Sequence, residues 1–325
     1  MLIINKQTLE QVIKLSDIVK AVEQAFILAE QGGFTLPERT HLGYDKDVLL
    51  IMPCLKADVF STKLVTIYPS NAVQGKPVTM GNLLLSDANT GEALALINGT
   101  YLTAMRTGAL GAVSAKYLSS EDSHTCGLVG AGMQGLFQVL ALATVRPLKE
   151  VYVHDTNIAQ AERFVSYLTA RAPELRCRIV ANSEELVKAS QIVICATTST
   201  KPVLPDDPQL FNGKHIIGIG SYQPHVREFS NATLTAVLQS SGGVYIDTSH
   251  ALVETGDLII PLAQGTLQES QIRLFSKLVV IGGDSGLYKQ TTLFKSVGSA
   301  LFDLCAAQMV YRQVVAAGAG LQVEM

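Results

Sequence analysis

No uninterrupted apolar run of about 18 residues occurs in this chain, so the signature of a membrane-spanning helix is missing. The opening residues, Met-Leu-Ile-Ile-Asn-Lys-Gln, lack the basic region, apolar segment and small-residue cleavage site of an export signal, and a cytoplasmic protein is expected. Charge of one sign is also missing. The 25 Lys and Arg and 28 Asp and Glu leave a net charge of −3 with no basic stripe, which removes the electrostatic footprint of a nucleic-acid or anionic-membrane partner. A small neutral or anionic ligand fits better. Cysteine is scarce. The five (Cys54, Cys126, Cys177, Cys195, Cys305) are odd in number, widely spaced and mostly set in apolar runs, so neither a disulfide framework nor a metal site is expected. There is no repeat of 20–50 residues. What remains is 325 residues, 48% hydrophobic and 16% charged, enough for two compact domains or one large one.

Residues 125–135, Thr-Cys-Gly-Leu-Val-Gly-Ala-Gly-Met-Gln-Gly, place a glycine fingerprint after a short apolar run and before a helical pattern. Gly130 permits a tight strand-to-helix turn, Gly132 lets the backbone approach a pyrophosphate, and Gly135 allows close helix-strand packing. Asp155 ends the next apolar run, Glu150-Val-Tyr-Val-His-Asp155, 25 residues beyond Gly130. The spacing is near the ~20 residues at which a carboxylate receives the adenosine ribose hydroxyls, and a carboxylate there favours NAD(H), with NADP(H) second. Alternatively Asp155 is only an N-cap, a task Thr156 or Asn157 could equally perform. Met133 and Gln134 either line the pyrophosphate or pack the first helical turn.

From Cys126 to about Asp284, short apolar runs alternate with amphipathic stretches, the pattern of a parallel sheet covered on both faces. The expected strands are Cys126–Val129, Val151–His154, Arg178–Ala181, Ile192–Ala196, His215–Ile219, Val244–Asp247 and Leu278–Ile281. Thr197 and Thr198 follow a strand end, where open α/β sheets bind ligands, and are candidate cofactor contacts. Ser221, in the loop after His215–Ile219, is another. The first 118 residues read differently: a helix at Ile18–Gln31, strands at Val48–Met52, Phe60–Tyr68, Gly81–Asp87 and Ala93–Ile97, then a helix at Tyr101–Leu118. A closing helix, Ser299–Ala317, has no strand to follow it and is expected to pack back on this domain. The fold class is therefore α/β, with a Rossmann-type doubly wound sheet (119–298) plus a separate α+β domain (1–118 with 299–325).

Three cations fall among apolar or small residues: Arg39 in Leu36-Pro-Glu-Arg-Thr40, Lys63 in Val59-Phe-Ser-Thr-Lys-Leu-Val-Thr66, and Arg106 in Thr103-Ala-Met-Arg-Thr-Gly-Ala109. A shared carboxylate would explain their burial, Arg gripping it with a fork and Lys adding a point charge. Unrelated surface or interface charges are the plainer reading. The small residues after Arg106 (Gly108, Ala109, Gly111, Ala112) allow close approach by another group. Thr79 opens a strand and either faces the cofactor or does not. Glu254-Thr-Gly-Asp257, Lys295 and Ser296 serve either the site or the fold, and His225 is a proton relay or ordinary surface.

The chain resembles the ornithine cyclodeaminase and mu-crystallin family in several motifs at once. These are Lys63-Leu-Val-Thr-Ile-Tyr-Pro, Gly91-Glu-Ala-Leu-Ala-Leu, Thr100-Tyr-Leu-Thr-Ala-Met-Arg-Thr-Gly-Ala109, the glycine turn at 130–135, Glu254-Thr-Gly-Asp257 and Leu293-Phe-Lys-Ser-Val-Gly298. The resemblance implies a homodimer built through the first domain and the last helix, NAD(P) on the Rossmann domain, and a substrate carboxylate held by Arg39, Lys63 and Arg106. It also separates chemistries. Cyclodeaminases carry an acid/base Asp where this chain has Tyr222 in Gly218-Ile-Gly-Ser-Tyr-Gln-Pro, and a phenol with a pKa of about 10 cannot replace an ionised carboxylate. The Gly-Ser-Tyr-x-Pro form resembles the ketimine reductase branch, which makes L-proline or L-pipecolate from Δ1-pyrroline-2-carboxylate or Δ1-piperideine-2-carboxylate. Ornithine cyclodeaminase, alanine dehydrogenase and a non-catalytic crystallin-like nucleotide binder are the alternatives.

Overall fold

In the strand Val59–Ile67, buried and more open positions alternate, with Val59, Ser61, Lys63 and Val65 on the buried side. That period of two marks a sheet with one covered face. The computed structural model describes residues 1–74, 76–221 and 223–324, and the chain divides into two compact units, residues 1–106 with 299–325, and residues 107–298. The division falls inside the helix Gly99–Leu118, at Arg106, and not at its end as expected. Helical continuity hides such a boundary from a reader of sequence.

The first unit holds a mixed sheet with spatial order Leu321–Gln322, Leu2–Ile4, Ala93–Asn98, Thr79–Asp87, Val59–Ile67, Asp47–Lys56 and Phe34–Thr35; Thr40–Tyr44 also pairs with Asp47–Lys56. The pairs are antiparallel except Leu2–Ile4 with Ala93–Asn98. The short strands near the ends of the unit and Thr40–Tyr44 were not legible, having too few residues or no buried side chain to set a pattern. One face is covered by the helix Ala300–Ala316, which lies on Asp47–Lys56, Val59–Ile67 and Thr79–Asp87, and the helix Leu15–Gln31 packs against it. Ile18, Val19, Val22, Ala25 and Phe26 recur at helical spacing on the first of these, which stops at Gly32 with φ 78°. Phe26 meets Phe302 of the closing helix with ring centroids 4.8 Å apart. The closing helix thus packs back on the first unit as expected, started by the Ser299 side chain, which accepts from Leu301 N.

In the second unit all strand pairs are parallel, in the order Arg176–Ile179, Glu150–His154, Thr125–Val129, Ile192–Cys195, His215–Gly218, Thr292–Lys295, Val244–Ile246, Ile272–Leu274. The first five are a doubly wound arrangement whose order reverses beside Thr125–Val129, the crevice where such sheets take ligands. Two expectations need correction. The run Leu278–Ile281 is not a strand: Phe275–Val280 is helical, and Thr292–Lys295 is the strand between His215–Gly218 and Val244–Ile246. A four-residue apolar run does not separate a strand from a buried helical turn, and a strand containing Lys295 gave no apolar signal. Arg178–Ala181 is displaced to Arg176–Ile179.

The small residues after Arg106 serve helix packing. A Cβ on Gly108 would lie 2.3 Å from Phe137 O, and one on Gly111 would lie 1.9 Å from Gln138 Oε1. The helix Met133–Leu142 therefore occupies the space that the glycines open.

Candidate active site

The glycine turn has the geometry that a dinucleotide requires. Gly130 adopts φ 97°, and a Cβ there would sit 2.5 Å from Ala196 O; a Cβ on Gly135 would sit 2.4 Å from Gly130 O. Gly132, the N-cap of Met133–Leu142, has nothing within 4 Å of where its Cβ would be, so its backbone borders open space at a helix N-terminus. Met133 is exposed and Gln134 half-buried with its Oε1 unpartnered.

Asp155 is half-buried beside this turn. Its Oδ2 accepts from Ala131 N at 2.8 Å and its Oδ1 from Asn157 N at 2.8 Å. The helix Ile158–Arg171 is capped by Asn157, not by Asp155. Asp155 thus ties the glycine turn to the end of its own strand, and each oxygen keeps a second lone pair for a ribose hydroxyl.

The loops after Ile192–Cys195 and His215–Gly218 are joined by a residue the sequence did not single out. Glu228 is fully buried. Its Oε1 accepts from Thr197 N at 2.7 Å and Thr197 Oγ1 at 2.9 Å, and its Oε2 from Gly220 N at 2.7 Å and Ser221 N at 3.2 Å. Burial pushes its carboxyl pKa up, opposed by the charge of Lys295. Lys295 is fully buried, 3.0 Å from Asp257 Oδ2 and 3.9 Å from Glu228 Oε2. The nearer contact is an ion pair off the hydrogen-bonding axis. Asp257 Oδ1 in turn accepts from Glu228 N and Phe229 N. Lys295, which the sequence left open between cofactor contact and fold, and Asp257 thus stand behind the two loops, and Lys295 has no exposed surface.

Ser221 is buried too, with its hydroxyl against Val226 O and Thr255 Oγ1. Ser296 donates to Asp247 Oδ2. Thr198 and His225 are exposed, and Thr197 is half-buried. Tyr222 lies outside the described residues.

In the first unit, Lys63 and Arg106 do share a carboxylate, but one belonging to the chain. Asp303 Oδ2 lies 2.5 Å from Lys63 Nζ and Asp303 Oδ1 2.9 Å from Arg106 Nε. Exposure is 2% for Lys63, 6% for Arg106 and 1% for Asp303, so the pairs are screened from water. Burial pushes the Asp303 carboxyl up, and Arg106 and Lys63 more than reverse this, holding it below its usual value. Lys63 is pushed down to about 8, by burial first, with Arg106 and Arg39 adding to the fall and Asp303 resisting it. Arg39 is half-buried, and its charge reaches both Lys63 and His41. Beyond Nε, no hydrogen bond engages the Arg106 guanidinium among the described residues, so its Nη donors are uncommitted. Thr79 is exposed at the start of its strand.

The model of the ornithine cyclodeaminase/mu-crystallin family matches residues 1–318. The chain belongs to that family. Within it, the chain is 29% identical over 330 residues to a Δ1-pyrroline-2-carboxylate reductase of Bacillus cereus, covering 100% of both proteins. The Thermococcus litoralis Δ1-pyrroline-2-carboxylate reductase, solved with NADH and L-proline, superposes with a TM-score of 0.91 at 32% identity over 99% of this chain and 100% of that one. An archaeal alanine dehydrogenase dimer with bound NAD gives 0.89 at 26% identity, over 100% and 99%.

Asp303 and Glu228 are the buried acids of this region that no sequence pattern had singled out. Asp303 sits in Ala300-Leu-Phe-Asp-Leu-Cys-Ala306, on the buried face of an otherwise apolar helix. An acid at such a position needs a buried cation, and that signal was available. Glu228 follows Arg227 in a polar loop and offered none.

Proposed function

We propose that the protein reduces a cyclic ketimine carboxylate, Δ1-pyrroline-2-carboxylate or Δ1-piperideine-2-carboxylate, to L-proline or L-pipecolate with NADH. The observation that carries this reading is the buried Lys63 and Arg106 pair, aimed by Asp303 and left with unused donors. The Arg106 Nη edge forms a two-bond fork with the substrate carboxylate, while Lys63 and Arg39 add positive charge. The open backbone at Gly132, the donors of the following turn and Asp155 hold NAD(H), and Asp155 disfavours a 2′-phosphate. When bound, the reduced nicotinamide supplies the hydride for the C=N carbon. The chain's own contribution is to fix the carboxylate and the two loops tied by Glu228, so that much of the rate comes from positioning.

Support for the substrate class comes from the reductases of B. cereus and T. litoralis, the latter holding NADH and L-proline. The likeness to an alanine dehydrogenase favours a second reading, interconversion of alanine and pyruvate, which uses the same carboxylate grip. Assembly as a homodimer accords with the uncovered face of the first unit's sheet, where Leu42, Leu55, Leu64 and Met80 are each at least 40% exposed. Five free thiols suit a reducing, cytoplasmic setting.

The test is the initial rate of NADH and NADPH oxidation with both imines, beside ornithine plus NAD and pyruvate plus ammonia plus NADH. Fast imine reduction with NADH preferred is the expected result. Proline and ammonia from ornithine without imine reduction would overturn it, and pyruvate amination in its place would select the second reading.

A further inference from the structure

Lys63 comes from a sheet strand and Arg106 from a helix, and neither element gives the other's side chain a reason to be where it is. The closing helix supplies one. Asp303, in its first turn, is 1% exposed and spans the two cations with one oxygen each. A carboxylate so buried and so shared is costly unless both partners stay. It takes the Nε side of Arg106, and the guanidinium plane then fixes where the Nη edge lies.

We propose that Asp303 is a positioning residue for the substrate carboxylate, orienting the Arg106 fork and anchoring the Lys63 ammonium beside it. This rests on the carboxylate-binding reading of the site. The groups acting on Lys63 are Arg39, Arg106 and Asp303; the nearby thiols of Cys54 and Cys305, raised by burial to about 12 and about 11, are neutral. Arg106 and Arg39 push Lys63 towards losing its proton, and Asp303 acts to retain it. Removing the Asp303 charge therefore has a signature beyond geometry: the ammonium is lost at lower pH.

Pyrrole-2-carboxylate is the probe, a planar carboxylate whose ring nitrogen does not titrate in the working range. Its affinity for the NADH complex, measured by inhibition across pH, should fall in the wild type as pH rises through about 8. In Asp303→Asn the same fall should begin about one pH unit lower or more. KM for the imine should rise roughly tenfold or more while the Kd for NADH stays within about twofold. Unchanged imine KM and an unmoved alkaline limb in Asp303→Asn would overturn the role of Asp303 alone. No binding of the probe by the wild type would overturn both this role and the reading beneath it. If Asp303→Asn does not fold, Asp303→Glu keeps the charge but misplaces it. The alkaline limb should then stay near 8 with KM raised about tenfold, and a wild-type KM would overturn the proposal.

Discussion

Arg106 is the residue on which the chemistry turns, because its Nε is committed to Asp303 and its remaining donors are not. Arg106→Lys keeps the charge and loses the fork. At about 3 kcal/mol for a charge-assisted pair, kcat/KM for the imine should fall roughly 100-fold with NADH affinity unchanged. An unaltered kcat/KM in steady-state assays would remove Arg106 from the site. Lys63 adds a dependence on pH in which activity and stability part company. Its folded pKa, about 8, lies below the ordinary 10.5, so the native state binds fewer protons than the unfolded one between these values. The contribution of Lys63 to stability therefore rises with pH across that window, while its grip on a carboxylate is lost. Imine KM should climb above about pH 8 without a matching fall in the urea midpoint attributable to this residue. Asp155→Ser should narrow the preference for NADH over NADPH about tenfold. It should also weaken both cofactors, since the Ala131 and Asn157 amides lose their acceptor.

At the scale of elements, packing sets the glycine positions. Gly108 lies against the backbone of Phe137, which cannot swing aside. Gly108→Ala should cost about 1–3 kcal/mol in urea melts, and a neutral result would mean that the helices separate freely. Long strands and helices with a regular burial period were legible in the sequence: Val59–Ile67, Leu15–Gln31 and Ala300–Ala316 lie within a few residues of where their patterns put them. The glycine turn was legible because Gly130 and Gly135 each answer a steric demand of the chain, while Gly132 borders open space at the helix N-terminus. Thr292–Lys295 was not. Its buried lysine is stabilised by Asp257, distant in sequence, and only the folded chain shows that pairing. Asp303 differs: an acid on an otherwise apolar helix face signals a buried cation, but that Lys63 and Arg106 answer it only the folded chain shows.

For the whole molecule, the sheet of the first unit is finished on one face and unfinished on the other. Leu64 lies on the unfinished face at 42% exposure, and the register sets it beside Ile51 and Asn82. Leu64→Glu should shift the protein from dimer towards monomer in sedimentation, because a charge buried in an apolar interface costs several kcal/mol. A stable monomer in the wild type would contradict the dimer. The most direct test of the account compares kcat/KM with NADH for Δ1-pyrroline-2-carboxylate and for Δ1-pyrroline, which lacks only the carboxylate. Loss of these charged contacts should make the second roughly 1000-fold poorer. Equal values for the two imines would show that the Arg39, Lys63 and Arg106 cluster does not recognise a substrate carboxylate.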